Sequence, residues 1–266
     1  MKHKKNVILT VCALACTAIV SAKLAFASHK RPSYAKQPTQ VAPATDPSAG
    51  REALRTWKAG TEVSEADVKS YGLKRCFAAD TLSDAVFQRM QGKSYKEGCI
   101  IARSDLRYVR VLHRTLDDRI LLGEIVCHRT IAQDLVSIFR TLYDAHYPIE
   151  RLQLIDDYDA DDERSMTDNN TTCFNYRPMH GGKKLSYHSQ GKAIDINPLY
   201  NPYVRQMSDG TMNIAPEAGK PYVDRSRSFA YKIDKGDLCY REFLRHGFEW
   251  GGNWHSLKDY QHFEKH

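Results

Sequence analysis

The chain has 266 residues, 42% of them hydrophobic and 27% charged, the make-up of a globular protein long enough for one large domain or two small ones. Those figures exclude collagen-like, coiled-coil, wholly disordered and polytopic membrane classes. The formal net charge of +7 invites a nucleic acid or another anionic partner, but the first thirty residues weaken that signal.

Met1 to Lys5 is a short basic start, Val7 to Ala22 carries no charge, and Ala25-Phe26-Ala27 has the small-x-small pattern of a cleavage site. Together they predict a secretory signal over residues 1–27, with an uncleaved anchor or lipidation at Cys16 as the alternatives. Its removal takes away Lys2, Lys4, Lys5 and Lys23 and no acid, so the charge falls by four, from +7 to +3. The expected protein is exported to the periplasm or the extracellular envelope. It keeps no stable membrane span after cleavage, has no nucleic-acid partner and acts as a monomer. Of the cysteines that remain, Cys76 and Cys99 flank one helical stretch and form the favoured bridge in an oxidising compartment. There is no CxxC or CxxCH spacing, so a thiolate zinc site, a thioredoxin-type site and haem attachment lack their motifs.

Residues 28–70 contain Pro32, Pro38, Pro43 and Pro47 among Ser, Thr, Ala and Lys, which predicts an exposed tether. From about Tyr71 aromatic and branched residues become dense, so the folded domain is expected over residues 71–266. Leu106 to Leu112 alternates with period two and reads as a strand, Ile120 to Val126 as its partner, with Asp117 and Asp118 in the turn. Thr130 is placed to cap a helix over Ile131 to Ala145, where Ile131, Leu135, Ile138 and Leu142 share one face. Glu150 to Ile155 and Lys192 to Ile196 read as further strands, and Leu238 to Arg245 as a short helix ending at Gly247. Hairpins with few βαβ units predict an α+β fold.

Two histidine-bearing segments carry the chemistry. In Ser186 to Asp195, Gly191 permits a turn, and Asp195 then lies on the face opposite Ile194 and Ile196, within reach of His188. At the C-terminal end, His262 and Glu264 share a face while Phe263 packs inward. Two imidazoles and one carboxylate suit a catalytic zinc with a fourth position left for water, and Asp259, three residues before His262, can take that water's proton. The competing reading is a set of structural histidines with solvated or capping acids.

The pattern S-x-H-x-x-G-x-A-x-D at Ser186 to Asp195, followed by G-G-x-W…D-x-x-H from Gly251 to His262, resembles the D-alanyl-D-alanine carboxypeptidase / L-alanyl-D-glutamate peptidase family, over about residues 95–266. The resemblance implies a small antiparallel sheet with flanking helices, the hedgehog/DD-peptidase-like fold. It implies one Zn2+ per chain held by His188, Asp195 and His262, with Asp259 as general base and Arg177 steadying the tetrahedral oxyanion. Aspartate at the base position matches the endolysin-like branch, whereas the dipeptidase branch has glutamate. The implied activity is hydrolysis of an amide bond in peptidoglycan stem peptides, as a carboxypeptidase or an endopeptidase. The alternative is a non-catalytic wall-binding module, against which an intact Asp259 speaks.

Around this set, Ser186 is a candidate substrate contact, Glu264 reads as a surface acid with support of a ligand as the alternative, and His255 lies off both spacing patterns. Trp250, Trp254 and Tyr260 read as cleft walls, and His180 as a loop residue. Asp156 to Glu163 has acids at EF-hand positions one, three and five, but Asp162 stands where glycine is needed, so a solvated loop is expected. Cys173 with His188 as a cysteine hydrolase is the remote alternative.

Overall fold

The structure, a computed structural model, describes residues 47–178 and 184–266. The signal sequence, the first part of the tether and the loop with His180 lie outside these residues. In chain order the elements are α1 (Pro47–Thr56), β1 (Glu62–Val63), α2 (Glu65–Tyr71), β2 (Ala78–Thr81), α3 (Asp84–Met90), β3 (Leu106–Arg114), β4 (Ile120–His128), α4 (Ala132–Asp144) and α5 (Asp162–Thr167). There follow β5 (Ala193–Asp195), β6 (Tyr203–Gln206), β7 (Met212–Ala215), α6 (Leu238–Arg245), β8 (Glu249–Trp250), β9 (Lys258–Asp259) and β10 (His262–Glu264). The α+β expectation is met. Among the described residues no helix is long and apolar enough to cross a membrane.

Residues 47–70 are not tether. Leu54, Trp57, Val63 and Val68 are buried in the main core, and β1 pairs antiparallel with β4, Val63 opposite Ile120. The indole N–H of Trp57 donates to Gly123 O at 3.0 Å. Ser64 and Asp67 close a capping box at the start of α2, satisfying backbone donors that the helix leaves free. Pro32, Pro38, Pro43 and Pro47 mask a following segment whose few apolar residues are spaced to pack.

The hairpin forms where the alternation places it, Leu106 opposite His128 through to Arg114 opposite Ile120, inside an antiparallel sheet of order β1-β4-β3-β2. α4 packs on this sheet through Ile131, Leu135, Ile138 and Leu142, all buried. Its cap differs from expectation. Ile131 holds the capping position without a side-chain bond, because the Thr130 hydroxyl is engaged with His128 Nδ1 at 2.8 Å. Glu150 to Ile155 is no ladder strand either. It is held by an isolated bridge between Arg151 and Asn170 and by the Asn170 side chain, whose Oδ1 accepts from Gln153 N at 2.9 Å.

Two three-stranded sheets complete the fold, β5-β10-β8 and β7-β6-β9. The first packs its inner face on α6, where the Phe263 and Phe243 rings stack 4.3 Å apart. Asp237 caps α6 by accepting from Cys239 N and Tyr240 N. The expected Cys76–Cys99 bridge is absent, and Cys76, Cys99, Cys127, Cys173 and Cys239 are all free thiols. Cys76 sits in the main core and Cys99 beside a separate cluster around Met90 and Phe174, so the two sulfurs face different interiors.

Candidate metal centre

Each donor has a local reason for its place. His188 lies in a 3₁₀ turn, Tyr187–Gln190, rather than a strand; the Ser186 hydroxyl accepts from His188 N at 3.2 Å and Gly191 closes the turn with φ +65°. A side chain at Gly191 would be strained there, and its Cβ would lie 2.6 Å from His128 N, so only glycine fits. Asp195 on β5 and His262 on β10 are directly opposite in the antiparallel register, with Phe263 opposite Ile194. Strand alternation sends the isoleucine and phenylalanine into the core and the aspartate and histidine to the other face.

The three functional ends converge. His188 Nε2 is 3.2 Å from Asp195 Oδ2, His262 Nδ1 is 3.1 Å from Asp195 Oδ1, and the two ring nitrogens are 3.2 Å apart. The far side of each ring decides its tautomer. His188 Nδ1–H donates to Cys173 O at 2.6 Å, since a carbonyl only accepts, and His262 Nε2–H donates to Glu264 Oε2 at 2.9 Å. In their neutral forms both imidazoles therefore turn a lone pair toward the Asp195 carboxylate, and three Lewis bases meet with no hydrogen between them. Tetrahedral zinc with bonds of about 2.0–2.1 Å sets its ligand atoms about 3.3–3.4 Å apart. The donor set fits such an ion in chemistry and in span, and the carbonyl and carboxylate behind the rings are the partners that metal-bound histidines use.

Electrostatics agree with a site built for positive charge. Burial pushes the Asp195 carboxyl up, but the charges and hydrogen bonds of His188 and His262 outweigh it and hold that group far below the usual carboxylate range. Burial opposes a proton on His262, yet hydrogen bonds with Asp195 and Glu264 raise its pKa to about 10. In the metal-free chain a proton thus takes the place that a cation would fill.

Asp259 stands beside this set on β9. Burial, with the Asp195 charge adding to it and His262 and His188 opposing, pushes its pKa up to about 7. Its Oδ1 is buried without a hydrogen-bond partner. Gly251 lets the chain approach it: a Cβ there would lie 2.6 Å from Asp259 O and 2.8 Å from its Cβ. The first glycine of the G-G-x-W motif therefore belongs to the placement of this carboxylate, a close approach that the motif alone does not reveal.

The remaining candidates separate. The backbone of Arg177 runs against the turn that carries His188, its N–H donating to Ser189 Oγ at 2.9 Å, while its guanidinium pairs with Asp162. Ser186 is spent as the cap of the His188 turn, so its hydroxyl supports a donor rather than lying free on a strand face. Glu264 is no surface acid: it is buried and holds His262. Trp250 is core and Trp254 lies 5.4 Å from the His262 ring, whereas His255 is exposed. The acidic run gathers no cage. Asp156 accepts from Ser94 N, Asp157 pairs with Arg89, Asp159 with Lys93 and Asp162 with Arg177. Cys173 is fully buried, and that burial drives its thiol well above the ordinary value, which removes the thiolate a cysteine hydrolase requires.

Three convergent donors beside a carboxylate with one buried oxygen free of partners are the arrangement of a metal-dependent hydrolase. Residues 180–265 match the family model described as D-alanyl-D-alanine carboxypeptidase. Over this stretch the chain is similar to that family, the same one whose motifs it resembles. The match takes in His188, Asp195, Asp259 and His262 and stops short of Arg177, a narrower span than the 95–266 expected. Comparisons with curated proteins and with solved structures each give no match.

Proposed function

We propose that this chain is an exported zinc peptidase that hydrolyses an amide bond in peptidoglycan stem peptides, acting as a monomer. The observation that carries the metal reading is the meeting of His188 Nε2, Asp195 and His262 Nδ1 at 3.1–3.2 Å with both histidine protons turned away. His188, Asp195 and His262 would hold one zinc ion, which when bound lowers the pKa of a water toward neutrality and polarises a carbonyl.

The chain's own residues supply the proton traffic. Asp259, with a pKa of about 7, is matched to neutral pH and takes a proton from the attacking water. It then returns that proton to the leaving amine as the carbon–nitrogen bond breaks. Arg177 would balance the negative charge that develops on the scissile carbonyl oxygen. Because its guanidinium pairs with Asp162, this role requires that it swing from that partner or share it. Cys173 O and Glu264 keep both imidazoles oriented throughout. Export rests on the signal-like residues 1–27, and the reduced charge of +3 is a mild match for an anionic wall.

Incubation with purified muropeptides tests the substrate, with the products weighed by mass spectrometry. Release of D-alanine identifies a carboxypeptidase, and cleavage between L-alanine and D-glutamate an endopeptidase. Intact muropeptides after prolonged incubation with the zinc-loaded chain would overturn the substrate assignment.

A further inference from the structure

A second group of donors lies behind the first. Glu249 on β8 and Glu264 on β10 are directly opposite in the antiparallel register, and like charges so placed destabilise a sheet. His266, two residues beyond Glu264, directs Nε2 to both carboxylates, 3.6 Å from Glu249 Oε1 and 3.7 Å from Glu264 Oε1. These separations are too long for hydrogen bonds, which end near about 3.2 Å. They are close to the edge of a tetrahedron around a zinc-type ion, about 3.3–3.6 Å for bonds of about 2.0–2.2 Å.

The ring of His266 is fixed from its other side. Its Nδ1 lies 2.6 Å from Tyr187 Oη, and the Tyr187 ring packs edge-on against it at 5.0 Å. In the tautomer whose Nδ1–H donates to the phenol oxygen, Nε2 keeps its lone pair for the two carboxylates. A polar partner on the far nitrogen is how proteins orient metal-bound histidines. The facing atoms of all three side chains lie within 4.8 Å of one another.

We propose that Glu249, Glu264 and His266 form a second divalent-cation site of zinc type, linked to the first through Glu264. One oxygen of that carboxylate, Oε2, holds His262, while Oε1 faces the second site. The site differs from the peptidase centre in every donor and does not depend on the reaction proposed above. Its ion is the weaker of the two, because Glu249 and His266 are more than half exposed.

Zinc titration of the metal-stripped full chain, read by equilibrium dialysis and elemental analysis, tests this directly. Wild type takes up two ions in a tight and a weaker step. Glu249→Gln, an exposed substitution, weakens the second step at least tenfold and leaves the first unchanged. Asp195→Asn abolishes the tight step and retains the weaker one, so failure of the peptidase reading and failure of this one are distinguishable. A single step in wild type that Asp195→Asn removes overturns the proposal. So does a weaker step that Glu249→Gln leaves in place.

Discussion

His262 stands directly opposite Asp195 across the β5–β10 pair, its Nδ1 3.1 Å from Asp195 Oδ1. One strand register therefore brings a histidine from the end of the chain to an aspartate 67 positions earlier. Asp195 also exchanges backbone hydrogen bonds with Thr172 on its other side, so the backbone that carries the carboxylate is held from both sides. Asp195→Asn keeps the shape and removes the charge that collects two imidazoles. Tight zinc binding is expected to fall by more than about 100-fold, beyond the roughly 10–100-fold of losing an outer partner. Elemental analysis after dialysis against buffered zinc checks it; unchanged stoichiometry and affinity would remove Asp195 from the donor set.

Glu264 is the outer partner of His262, and its loss should be milder. Glu264→Gln still accepts the Nε2–H but without charge, so the tight step weakens about 10–100-fold while the fold persists. Isothermal titration against a competing chelator reads the change. An unaltered tight step would make Glu264 a bystander.

Asp259 separates metal binding from turnover. Asp259→Asn leaves His188, Asp195 and His262 intact, so the variant retains its zinc. Hydrolysis falls about 10²–10⁴-fold, the range general bases contribute. Wild-type turnover in a zinc-loaded Asp259→Asn protein would refute the assigned base.

The metal-free chain has a pH signature. The folded pKa of His262, about 10, lies above the ordinary 6.5, so its stabilising contribution is complete below pH 6.5 and is lost as the pH rises toward 10. Zinc replaces the proton and removes that dependence. Melting temperatures measured from pH 6.5 to 10 should decline in chelator and stay nearly level with zinc. Parallel curves would mean that His262 does not face the same site in both states.

Strong periodicity was readable in the chain and sparse signals were not. The face of Ile131, Leu135, Ile138 and Leu142, the β3–β4 hairpin and the bounds Leu238–Arg245 all follow from spacing, because long regular segments repeat their message. His188, Asp195, Asp259 and His262 stood out through motif and strand alternation. Residues 47–70 did not, since the four prolines from Pro32 to Pro47 outweighed Leu54, Trp57, Val63 and Val68, each of which packs singly. The placement of His188 on a 3₁₀ turn depends on one cap and one glycine, too short for any period. Cys173 was visible only as a thiol, whereas its carbonyl holds His188, and backbone atoms leave no mark on residue type. Glu264 looked solvated because nothing local says that β8 covers it.

The central claim is that hydrolysis depends on a cation held by His188, Asp195 and His262. Its most direct measurement is cleavage of purified muropeptides by the full chain as prepared, after chelator, after chelator followed by zinc, and after thiol blocking. Activity should vanish with chelator, return with about one zinc per chain and ignore the thiol reagent. Cleavage that survives complete metal removal, and is lost instead on thiol blocking, would contradict it.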